Sequence, residues 1–201
     1  MAAAGGDVDS ALAADAARPS RREQILRAAA QLFAERGARS VGVDDVGAAI
    51  GVTGPAIYRH FASKDAMLAE MLEGISERLL AGGRERVAAA GDDPAAQLRA
   101  LVAFQVDFAL DNPALITVHD RDLGSLAPEH AARVRRLQRR YVEVWVDVLA
   151  RLLPEEGTAA SRARAHAVFG LVNSTPHSAG RLSRERTAAL LAAMAEAAAT
   201  A

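Results

Sequence analysis

A chain of 201 residues, 51% hydrophobic and 24% charged, can bury a sizeable core as one large domain or as a small one joined to a medium one. Its formal net charge of −1 excludes a protein that coats nucleic acid by bulk charge, although a local basic face would still serve. Cysteine is absent, which removes disulfides, thiolate metal sites and cysteine nucleophiles, and no apolar run approaches the ~18 residues of a membrane span.

The first residues carry Asp7, Asp9 and Asp15 with no basic residue before Arg18 and no continuous apolar stretch. They do not read as a signal peptide, and the chain is expected to be cytoplasmic. Residues 1–19 show little periodicity and are expected to form a disordered arm. From Ser20 the pattern turns helical. Ser20 and Glu23 have capping-box spacing, Ile25, Leu26, Ala29, Leu32 and Phe33 share a face, and Gly37 is placed as a stop.

Two short helices are predicted next, Val43–Ile50 and Gly54–Phe61, separated by Gly51, Val52 and Thr53. A fourth starts at Ser63 with Asp65 in its first turn and runs to about Ala90, with Gly82 and Gly83 expected to weaken or bend it. Asp92-Asp93-Pro94 opens a helix that ends before Asn112-Pro113, and a shorter one covers about Ala114–Leu123. The clearest periodicity spans Pro128–Leu153, where Val134, Leu137, Tyr141, Val144, Trp145, Val148 and Leu152 step by three and four. Two more helices are predicted at about Thr158–Thr175 and Ser183–Ala199. No segment alternates as a strand. The expected fold class is all-α, about nine helices, with a small domain over residues 20–66 and a larger one over 67–201.

The sharpest constellation lies between Val43 and Phe61. It reads as two amphipathic helices around a tight turn, with Val46, Ile50, Val52 and Ile57 as the core between them. Gly47 permits close approach of the second helix, and Gly51 can take the positive φ of a sharp turn. Thr53 stands at the cap, and Pro55 fits a first turn that has no amide bond to lose. A helix so presented lies in the DNA major groove with its N-terminal residues toward base edges. Tyr58, Arg59, His60 and Lys64 surround it within reach of phosphates. Between Ser20 and Lys64 seven basic residues oppose four acidic ones, so the basic excess is local, as DNA contact requires. The competing reading is a motif that serves packing alone, which the polar and aromatic residues Tyr58, His60 and Lys64 disfavour.

Helix, Gly37, the stretch through Ile57-Tyr58-Arg59-His60-Phe61 and then Ser63-Lys64-Asp65 together resemble the N-terminal domain of the TetR family. The resemblance covers residues 21–70 by motif and the rest by length and helix count. It implies a homodimeric repressor of double-stranded, palindromic operator DNA, released by a small hydrophobic effector bound in the C-terminal domain. It places Thr53, Gly54, Pro55 and Tyr58 in the recognition helix, with His60 and Lys64 toward the DNA backbone. Where the family often has a capping threonine this chain has Gly42, and Arg39 or Ser40 is the expected substitute for the lost phosphate contact.

The same resemblance implies a cavity walled by Met71 and Ile75 facing Phe104, Phe108, Ile116, Tyr141 and Trp145; taken singly each reads more readily as plain core, except that Tyr141 and Trp145 bring polar tips that a buried site must satisfy. The last two helices, apolar on more than one face, imply a dimer interface through Phe169, Val172, Leu190, Leu191 and Met194. His119–Leu123, the Arg-rich helix after Pro128, and the run from Asn173 to Ser178 resemble a subset of these repressors that controls lipid or fatty-acid catabolism. That likeness implies an acyl-CoA effector, its chain in an apolar tunnel with arginines such as Arg121 at the mouth. A drug-efflux regulator answering to hydrophobic cations and a helical binding protein that no longer reads DNA remain as alternatives. His119-Asp120-Arg121-Asp122 is a weak metal pattern, and Asn173, His177 and Ser178 lack a nucleophile elbow. No metal, cofactor, membrane contact or catalytic residue is expected.

Overall fold

The computed structural model describes residues 19–177 and 182–201. The expected arm before Pro19 and the Ser178 position lie outside them. Within the described residues there are nine α-helices and no strand. The chain divides into two compact units, Met1–Met67 and Leu68–Ala201.

In the first unit, α1 (Arg21–Arg36) opens on a capping box. The Ser20 hydroxyl accepts the Glu23 N–H at 3.2 Å, and the Glu23 carboxylate accepts the Ser20 N–H at 2.8 Å. Gly37 ends the helix at φ 86°, donating its N–H to the Phe33 carbonyl. After a short 3₁₀ turn over Ala38–Ser40 come α2 (Val43–Ala49) and α3 (Gly54–Tyr58). Ile25, Ala29, Phe33, Val41, Val46, Ile57 and Phe61 form the buried centre of this small unit. The turn between α2 and α3 has the geometry its glycines suggest. Gly51 sits at φ 70°, and a Cβ on Gly47 would lie 2.7 Å from the Val52 carbonyl oxygen. α3 stops at Tyr58 rather than Phe61, because the His60 and Phe61 N–H groups both turn back to the Ile57 carbonyl.

Helix α4 (Lys64–Ala89) begins on Ser63, whose hydroxyl accepts the Ala66 N–H at 3.0 Å. The second unit then adds α5 (Pro94–Asp111), α6 (Pro113–Asp122), α7 (Pro128–Leu152), α8 (Gly157–Val172) and α9 (Arg184–Thr200). Asp93 caps α5 by accepting the Ala95 and Ala96 N–H groups. At Asn112-Pro113 the path bends by 87° into α6. α7 packs on α5 and α8, and α9 packs on α5 and α8. The core between them holds Leu101, Val102, Tyr141, Trp145, Leu149, Ala165, Val168 and Ala195. No single helix among the described residues is long and apolar enough to cross a membrane.

Gly82 and Gly83 do not interrupt α4. Their role is close approach: a Cβ on Gly82 would strike the Phe104 ring, and one on Gly83 would come within 2.5 Å of the Tyr141 ring. Gly83→Ala is therefore expected to cost about 1–3 kcal/mol through overpacking, lowering Tm by several degrees. Gly74, on the same helix, has nothing within 4 Å of its Cβ position. Gly74→Ala should instead gain up to about 1 kcal/mol of helix propensity. Thermal unfolding followed by circular dichroism checks both signs.

Candidate nucleic-acid interface and ligand cavity

On the first unit, α3 presents a mixed edge. Gly54 and Ile57 are buried, whereas Thr53, Pro55 and Tyr58 are exposed, Tyr58 by 57%. Gly54 is thus corrected from a DNA-facing position to a packing one, since a Cβ there would run into the Asp44 carboxylate. Thr53 occupies the N-cap, but its side chain makes no capping bond and stays available to an outside partner. At Gly42 the missing hydroxyl is offset from the other side: the Asp45 carboxylate accepts the Gly42 N–H at 2.7 Å. Ser40 and Arg39 are exposed next to it in the 3₁₀ turn.

The half-buried Lys64 ammonium donates to the Arg39 carbonyl at 3.3 Å, tying the start of α4 to that turn. Arg22 was missed by sequence reasoning. Its guanidinium bonds the His60 carbonyl and lies 4.2 Å over the centre of the Phe61 ring, clamping the chain just after α3. An arginine three residues before the core Ile25 gives no signal of its own, so only the folded chain reveals the clamp. Arg39 and Arg59 are exposed and make no ion pair among the described residues, leaving their charge for an external anion.

The second unit has a partly open cavity of about 250 Å³. Of the expected wall, Ile75, Phe108, Ile116 and Tyr141 line it, joined by Leu115 of α6 and Phe169 of α8. Met71, Phe104, Trp145 and Arg121 lie outside its lining. Met71 is buried, Phe104 lies against Gly82, Trp145 is wholly buried behind Tyr141 and Phe169, and Arg121 is paired with Asp122 at 3.0 Å.

Of the polar groups in this cavity, Tyr141 was an expected wall residue, whereas its link to Gln105 was not foreseen. The Tyr141 hydroxyl donates to Gln105 Oε1 at 3.0 Å, and Gln105 Nε2 donates to Asn173 Oδ1 at 3.1 Å. His119 contacts the Asp120 carboxylate through Nδ1 and the Gln138 amide through Nε2. No residue lining the cavity is acidic. A bound hydrophobic cation would lack a counter-charge there.

The expected dimer residues divide as well. Phe169 turns into the cavity, while Val172 and Leu191 are buried within their own chain, so these three are corrected from an outward face to the interior. Leu190 and Met194 are 49% and 46% exposed on α9. The alanine-rich pattern hid this division, because small residues on every side of α9 blur its inner and outer faces.

Two family models match the chain. Residues 25–71 match bacterial regulatory proteins of the tetR family, and residues 91–198 match the tetracyclin repressor-like C-terminal domain. The chain belongs to the TetR family. It is similar to the HTH-type transcriptional repressor KstR2 of Rhodococcus jostii, with 33% identity over 133 residues, 66% of this chain and 65% of that relative's length. The solved ketosteroid transcriptional regulator KstR2 of Mycobacterium tuberculosis shares the fold, with TM-score 0.77 and 23% identity over 90% of this chain and 95% of that one. So does AibR, solved with isovaleryl coenzyme A and operator DNA, at TM-score 0.70 and 19% identity over 87% of this chain and 97% of that one.

Burial pushes the Tyr141 hydroxyl well above its ordinary value of 10.0, with the Trp145 N–H acting in the opposite direction. The neutral phenol is the folded form. Its contribution to stability is intact below the ordinary tyrosine range and is lost as pH rises from there toward the folded-state value. The chain has two tyrosines. In an alkaline titration followed by phenolate absorbance, the change from one of them should be withheld until the chain unfolds, and Tyr141→Phe should abolish that late step. A full two-tyrosine rise in the folded protein would contradict this.

Proposed function

We propose that this chain is a ligand-responsive transcriptional repressor that binds double-stranded, palindromic operator DNA as a homodimer. A small hydrophobic effector, an acyl-CoA thioester, releases it. The observation that carries the reading is the exposed edge of α3, where Thr53, Pro55 and Tyr58 stand outward from a buried Gly54–Ile57 seam beside Arg39 and Arg59, which make no ion pair among the described residues. That is the geometry of a recognition helix with phosphate contacts at its flanks. His60 and Lys64 support it from the backbone side.

The acyl-CoA assignment draws on the likeness to AibR and on two features of the second unit. The cavity is walled mainly by apolar side chains and has room for a compact acyl group. Arg135, Arg136, Arg139 and Arg140 on α7 are exposed and carry no ion pair among the described residues, offering charge to the phosphates of a CoA moiety. Arg135 precedes the cavity-lining Gln138 by three residues, and Arg139 precedes Val142 by three, so both flank the lining stripe of the helix. For release to be effective, an effector preferring the DNA-free form by about 100-fold supplies roughly 2.7 kcal/mol of coupling.

Fluorescence anisotropy on DNA from the region upstream of the chain's own gene tests the reading. Tyr58→Ala should cost roughly 1–3 kcal/mol if the ring contacts a base, and Arg59→Ala should lower the salt slope by about one. Full affinity in the double variant would overturn the interface. Dimerisation is assigned to the outer faces of α8 and α9, including Leu190 and Met194. Leu190→Asp with Met194→Asp should shift sedimentation toward the monomer while helix content is unchanged; an intact dimer would remove α9 from the interface.

A further inference from the structure

Three of the cavity's polar side chains form one relay, and its hydrogen bonds run in one direction. Gln105 and Tyr141 are both buried, on α5 and α7, and Asn173 follows the last turn of α8. Burying a carboxamide in an apolar wall costs energy unless its donors and acceptors are met. Gln105 meets that requirement with one bond to each neighbour helix, accepting from Tyr141 and donating to Asn173.

The direction follows from chemistry. The Tyr141 phenol stays protonated, as argued above, so it retains a proton to give. That proton goes to Gln105 Oε1, and Gln105 in turn gives an N–H to Asn173 Oδ1. What remains at the end of the relay is the Asn173 Nδ2 group. It has no partner among the described residues, and Asn173 lines the cavity.

We propose that the enclosed part of the effector bears a neutral carbonyl oxygen, received by the Asn173 carboxamide N–H groups and kept in register by Gln105 and Tyr141. The inference rests on the second unit being the effector site, as proposed above. A hydroxyl would find the Asn173 oxygen already accepting from Gln105. A carboxylate would find no lysine or arginine in the wall, and His119 is already engaged by Asp120 and Gln138. A pure hydrocarbon would leave the donors unmet. The volume suits a compact ring system, since apolar cavities of about 150 Å³ already hold benzene and this one is about 250 Å³.

The test uses the intact chain and three bicyclic probes of one size: decalone, decalol and decalin. Trp145 is the single tryptophan, with its ring 5.1 Å from the cavity-lining Phe169, so its fluorescence reports occupancy. Decalone should bind about tenfold or more tightly than decalol and decalin. Asn173→Leu should bring the three together, and Asn173→Asp, which replaces donors by an acceptor, should turn preference to decalol. The wild-type comparison stands even where a variant fails to fold. Equal binding of decalin and decalone, preference for decalol, or no binding by any probe overturns the proposal. Operator binding, measured separately, is untouched by those outcomes, so failure here is distinguishable from failure of the repressor reading.

Discussion

The second unit depends on one contact, the Tyr141 ring against the bare backbone of Gly83. A methyl group at that position would push the ring outward, and the hydroxyl would leave Gln105. Because Gln105 joins α5 to both α7 and α8, the displacement would be felt by three helices at once. Trp145 and Phe169 form the other side of the same cluster, their rings at 67° to one another. The aromatic packing and the polar relay are thus a single arrangement, in which a steric constraint on α4 fixes a hydrogen bond between α5 and α7.

The first unit solves a smaller problem with fewer residues. Its exposed helix is five residues long, too short to hold itself by backbone bonds alone. Stability comes from what grips its ends. Gly47 lets Val52 pass close beneath, and Arg22 fastens the carbonyl of His60 while covering Phe61. The side chains left outside this grip are free of internal duties, which suits a surface used for recognition.

Much of this was legible in the sequence, for identifiable reasons. Ser20 with Glu23, Gly37, Gly51 and Ser63 carry local stereochemical demands, and each stands where its spacing indicated. The all-α class, with nine helices among the described residues, followed from periodicity in the same way. Tertiary facts were harder to foresee. Gly82 and Gly83 suggested a bend because a glycine pair looks the same whether it loosens a helix or admits a ring. Phe104 and Trp145 looked like cavity wall because an aromatic residue on an inward face does not announce whether it meets a void or another side chain. Leu191 and Val172 seemed to face a partner because α8 and α9 are apolar nearly all round, and only the packing distinguishes Leu191 from its exposed neighbour Leu190. The Gln105–Asn173 pair, separated by 68 positions, leaves no trace in any local pattern.

The alanine content of α9 has an entropic consequence. Alanine gives up no rotamer freedom on burial and has the highest intrinsic helix propensity, so ordering this segment costs little beyond its backbone. Each alanine also removes little apolar surface from water, so the return per contact is small. Attachment is therefore spread thinly along the helix and reinforced at both ends by arginine. Arg184 bridges Asp107 and Asp111 at its start, and Arg164 reaches the carbonyls of Ala199 and Ala201 at its finish. Helix α9 is held as a long strip reinforced at both ends, with Leu191 and Ala195 packed inward and its outer face open to whatever surface lies opposite Leu190 and Met194.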